Sequence, residues 1–108
     1  MSVVKLEGLF TYVDKYHRMV LCLFDEYYIE KLKNCGYEQI TEYGKTNNPY
    51  KCKASIRVKL PKENNLNIIA QKYISQEISI KVKIKSYNFI NKEGEQIQGK
   101  TLVLQNIT

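Results

Sequence analysis

Tryptophan is absent from this chain of 108 residues, histidine occurs once and proline twice, and arginine and alanine are sparse. The lone histidine, His17, lies beside a short polar turn, which leaves little for acid–base chemistry, and no serine sits in a G-x-S-x-G elbow. A phosphate loop of the G-x-x-x-x-G-K-[ST] type is missing as well: Gly44-Lys45-Thr46 has no first glycine and no buried strand before it. Asp25-Glu26 and Glu93/Glu95 are accounted for by helix capping and turn solvation. These absences argue against an enzyme. Cys22, Cys35 and Cys52 are odd in number and widely spaced, as expected of thiols in a reducing compartment. Together with His17 they form no closely spaced ligand pair, so no metal or other cofactor is expected. No segment approaches the roughly 18 consecutive apolar residues of a membrane span. The opening Met-Ser-Val-Val-Lys-Leu-Glu-Gly lacks the basic and apolar regions of a secretory signal. The expectation is a soluble, cytoplasmic protein without a membrane partner.

What is present is positive charge. Lys and Arg number 17 against 11 Asp and Glu, for a net charge of +6 and a pI near 9.2. With 44% hydrophobic and 26% charged residues, the chain is expected to fold as one domain over residues 1–108. The charge favours a polyanionic partner. Abundant lysine, isoleucine, asparagine and tyrosine is what an AT-rich coding sequence produces, so the placement of charge is more informative than its total.

That placement is clearest in Ile78-Ser79-Ile80-Lys81-Val82-Lys83-Ile84-Lys85-Ser86-Tyr87-Asn88-Phe89. Alternate residues of a strand face opposite ways, so Ile78, Ile80, Val82 and Ile84 point to the core. Lys81, Lys83, Lys85, Tyr87 and Phe89 point outward. The pattern recurs from Tyr50 to Leu60: Tyr50, Cys52, Ala54, Ile56, Val58 and Leu60 share one side, and Lys51, Lys53, Ser55, Arg57 and Lys59 the other. Lysines also decorate ordinary solvated strands. If both rows share one face, however, they form a groove of at least seven cations that repel one another in the absence of a partner.

The rest of the chain supplies a frame. Val3 to Val13 reads as a first strand with Val4, Leu6, Phe10 and Tyr12 on one face and a bend at Gly8. Arg18 to Phe24 is an apolar second strand after the turn Asp14-Lys15-Tyr16-His17. Asp25 is an N-cap for a helix from Glu26 to Asn34, stopped by Gly36. A loop follows, running through Gly44-Lys45-Thr46-Asn47-Asn48-Pro49. Pro61 ends the third strand, and Asn64 or Asn65 caps a helix from Leu66 to Ile74. Asn91-Lys92-Glu93-Gly94-Glu95 is a hairpin turn with its glycine left-handed. Gln96 to Gln105 returns, with Gly99 at a turn or bulge and Leu102, Val103, Leu104 and Ile107 closing the core.

This order resembles the mainly β, five-stranded OB-fold barrel, with one short helix between strands three and four and a helix-loop insert between strands two and three. The segment Lys83-Ile84-Lys85-Ser86-Tyr87-Asn88-Phe89, a glycine turn, and Gln98-Gly99-Lys100-Thr101-Leu102-Val103-Leu104 are similar to the last hairpin of small phage and viral OB-fold single-stranded-DNA-binding proteins. The resemblance implies sequence-tolerant coating of single strands in DNA replication or recombination, by Lys81, Lys83, Lys85, Tyr87 and Phe89 with Lys51, Lys53, Arg57 and Lys59 in support. Tyr12, Tyr16 and Tyr50 are further candidates for base stacking. The chain departs from the family in having no tryptophan to stack and no acidic carboxy-terminal tail. Two other uses of a basic face stay open: an interaction module for an acidic protein, and an RNA-binding barrel. So does assembly into a homodimer or a cooperative array.

Overall fold

Period-two alternation builds most of the computed structural model, which describes residues 2–43 and 51–108. The expected loop at 44–49 and the stacking candidate Tyr50 lie outside the described residues. β1 (Ser2–Val13) and β2 (Arg18–Leu23) form a hairpin. The insert follows as α1 (Glu26–Asn34) and a short β3 (Thr41–Glu42), and leads into β4 (Ala54–Lys59). A 3₁₀ turn (Glu63–Asn65) runs into α2 (Leu66–Gln71), and β5 (Glu77–Ile90) with β6 (Gln96–Ile107) makes the last hairpin.

β1 pairs antiparallel with β2 and with β5, β2 with β4, and β5 with β6. A parallel pairing of β4 with β6 closes the circuit. The result is a closed five-stranded barrel of the OB-fold type, in which β4 is the third barrel strand and β3 is an extra one. Its interior holds Leu6, Phe10, Met19, Leu21, Leu23, Ile56, Val58, Ile80, Val82, Leu102 and Leu104. Each such side chain contributes about 1.5–3 kcal/mol on burial. A one-residue slip of β5 would exchange its buried isoleucines for Lys81, Lys83 and Lys85, so the register, and with it the outward row of lysines, is held by the core.

The helix signals were legible. The Asp25 carboxylate accepts the Tyr27 backbone N–H at 2.9 Å, and Gly36 turns left-handed at φ 82°. α1 buries Ile29 and Leu32, with Tyr37 behind them. α2 is shorter than the expected run to Ile74, and Asn65 precedes it in a left-handed conformation (φ 56°) without a side-chain cap. Gly8 is a close-approach glycine: a Cβ there would stand 2.3 Å from the Cys22 carbonyl oxygen on β2.

Four other expectations need correction. Tyr12 does not join the core, because a register shift between Phe10 and Tyr12 turns it outward, where it is 52% exposed. Val103 alternates outward between buried Leu102 and Leu104. Gly99 lies inside β6, opposite Tyr87, rather than in a turn or bulge. The three cysteines are not all thiols: Cys22 and Cys52, with Cα atoms 5.8 Å apart, form a disulfide, and Cys35 is free. Among the described residues no helix is long and apolar enough to cross a membrane, and no group of three or more His, Cys, Asp or Glu is placed to hold a metal ion.

Candidate nucleic-acid interface

The two basic rows meet through β6. Lys59 of β4 and Lys83 of β5 are both in register with Val103, which lies between them. Adjacent strands lie about 4.8 Å apart, which puts the two lysine backbones on the order of 10 Å from each other, within reach of one polyanion. Two residues further along β5, Lys85 faces Thr101. On the other side, Lys81 pairs with Lys5 of β1, a cation that the alternation argument passed over.

Around this register lies a groove of about 860 Å³ with Thr101 and Val103 on its floor. Lys83 and Lys85 form one wall; Lys59, Lys62 and the start of α2 form the other. Among the described residues, four lysines therefore line it against one acid, Glu63. The Lys59 and Lys83 backbones are separated by about one Debye length at physiological salt, so the lysines are only partly screened from one another, and the groove carries a positive potential that one acid does not neutralise.

Not every cation of the second row takes part. Lys51 has left-handed backbone (φ 55°), which breaks the alternation before β4 begins at Ala54. Lys53 consequently leaves the row, and its ammonium lies 3.9 Å from Glu26 on α1. Ser55 faces outward as expected, but it is covered there, with its hydroxyl bonded to that of Tyr43 at 3.0 Å. Arg57 does face outward, but its guanidinium lies 3.9 Å from Asp14, which is already bound to the Arg18 guanidinium at 2.8 Å. Burial alone would raise the Asp14 pKa. The backbone N–H groups of Arg18 and Tyr16 and the Arg18 side chain outweigh that and hold the carboxyl below its usual value.

An aromatic ring lines the groove, and two more lie beyond Lys85 on the same face of β5, Tyr87 in a neighbouring hollow beside Glu38 and Gln39. Tyr16, 65% exposed in the β1–β2 turn, lines one end, with Lys15 and Arg18 each 5.1 Å from its ring centre. Tyr87 and Phe89 continue the Lys81-Lys83-Lys85 face of β5. Their rings stack at 6.2 Å with 28° between planes, Tyr87 half-buried and Phe89 52% exposed. A second hollow, of about 520 Å³, opens on the outer face of β1, β2 and β4 between Tyr12 and Tyr43, with Arg57 at its rim. Arg57 and Lys59 are two residues apart on β4, so this hollow and the basic groove adjoin. Tyr43 carried no sequence signal, since only the antiparallel pairing of β3 with β4 brings it there.

Searched by sequence, the chain matches no protein-family model and no curated protein.

Proposed function

We propose that the barrel binds single-stranded DNA, sequence-tolerantly, along the groove between β4 and β5. The observation that carries this reading is the shared register of Lys59 and Lys83 on Val103, with Lys62 and Lys85 beside them and, among the described lining residues, no acid but Glu63. The lysines follow the phosphates, and Tyr16, Tyr87 and Phe89 offer faces to the bases. Stacking on those rings requires bases that are not already stacked in a duplex, which favours single strands. Coating of single strands in replication or recombination, in a phage or virus, is the role the sequence resemblance suggests for such a surface.

The test is electrophoretic mobility shift with matched single-stranded DNA, duplex and RNA at two salt concentrations. Tight binding of the single-stranded DNA that weakens with salt, with weaker duplex binding, is the expected result. Equal or tighter binding of the RNA would transfer the site to RNA, whose 2′-hydroxyls are the distinguishing groups. No binding to any of the three would leave the basic face to an acidic protein.

A further inference from the structure

We infer that Gln39, in the insert, is a positioning residue for Tyr87, so that the insert sets how well a base stacks on the last hairpin. The inference rests on the reading of the barrel as a single-strand binder. β4 offers one edge to two partners: β6 pairs with it only at Val58 and Lys59, and β3 takes the same edge at Ala54 and Ser55. The outer half of the β5–β6 hairpin therefore extends away from β4, and a lone two-stranded hairpin holds its shape poorly in water.

Two side-chain bonds tie it to the insert. Lys100 on β6 donates to the Cys35 carbonyl at 2.8 Å, and the Gln39 amide donates to the Tyr87 hydroxyl at 3.1 Å. Gly99 completes the seat. The Tyr87 ring lies across it, so that a Cβ on residue 99 would stand 2.3 Å from the hydroxyl oxygen and 2.5 Å from Cζ. The phenol is thus located at its far end by Gln39 and beneath by Gly99, while Phe89 stacks against its ring. A ring held in place before binding loses less freedom when a base stacks on it.

The experiment measures oligothymidylate affinity and its salt slope for Gln39→Ala, Tyr87→Phe, the double variant, Gly99→Ala and Tyr87→Ala, each with a melting curve. Gln39→Ala and Tyr87→Phe should each weaken binding about threefold, the size of one exposed hydrogen bond. The double variant should lose no more than either single one, because both remove the same bond. Gly99→Ala pushes only the far end of a side chain, so it should stay folded yet lose about tenfold, close to Tyr87→Ala. The salt slope should be unchanged in all of them, since no phosphate contact is removed. If Tyr87→Ala weakens binding but Gln39→Ala does not, or if the two single losses add, the positioning role is overturned and DNA binding stands. If Tyr87→Ala itself binds at full affinity, stacking on this hairpin is overturned and the role of Gln39 falls with it.

Discussion

Replacing Lys83 and Lys85 together by glutamine removes two of the four lysines that line the groove and leaves Glu63 in place. For single strands, each neutralised phosphate contributes roughly −0.7 to the slope of log affinity against log salt. Four lysines acting together give a slope of about −2.8, and the double variant about −1.4. Between roughly 50 and 200 mM salt the unaltered protein should then lose on the order of fifty-fold in affinity, and the variant about seven-fold. Both lysines are on the outer face of β5 with their neighbours Val82 and Ile84 buried, so the substitutions should leave the barrel intact. Fluorescence anisotropy with labelled oligothymidylate across a salt series measures the slope directly. Lys53→Gln is the control: its ammonium faces Glu26 rather than the groove, and its slope should match that of the unaltered protein. An unchanged slope in the Lys83/Lys85 variant, or an equal fall in the Lys53 variant, would refute the groove as the site of phosphate contact.

Other outcomes concern the frame. Thiol titration of the denatured, unreduced protein should find one reactive thiol, that of Cys35, and three after reduction. Reduction should cost about 3–4 kcal/mol of stability by the chain-entropy argument for a separation of 30 residues; three thiols before reduction would contradict the Cys22–Cys52 bond. Gly8→Ala should lower stability by about 1–3 kcal/mol in denaturant unfolding, because its methyl group meets the Cys22 backbone and not a yielding side chain. Asp14 has a folded pKa below its unfolded one, so its contribution is fully present above the ordinary carboxylate range and is lost as pH falls through the folded value. Asp14→Asn should therefore be less stable than the parent at neutral pH, with the gap closing below about pH 4. A gap that persists in acid would show that the hydrogen bonds to Asp14 do not depend on its charge.

Local rules carried most of the frame. α1 runs from Glu26 to Asn34 because the Asp25 cap and the left-handed Gly36 are both short-range devices, and Gly94 turns the last hairpin at φ 81° for the same reason. β5 was legible because four buried β-branched residues leave its lysines only one side. The second row misled because alternation assumes unbroken extended backbone. Lys51 interrupts it with a left-handed conformation that no glycine or asparagine at that position announces, and Lys53 falls beside Glu26 as a result. Tyr12 turned out at a register shift that depends on its pairing with β2. The meaning of Gly99 is legible only from Tyr87, twelve residues earlier, and that of Gln39 only from a hydrogen bond spanning 48 residues. The disulfide likewise depends on the strand order that brings Cys52 beside β2.

Backbone amide shifts followed by NMR during titration with oligothymidylate test the central claim most directly. Shifts concentrated at Lys59, Lys62, Lys83, Lys85, Thr101 and Val103, and extending to Tyr87 and Phe89, are the expected result. Shifts centred instead around Glu7, Asp25 and Glu77, which line a separate hollow, or none at saturating oligonucleotide, would contradict it.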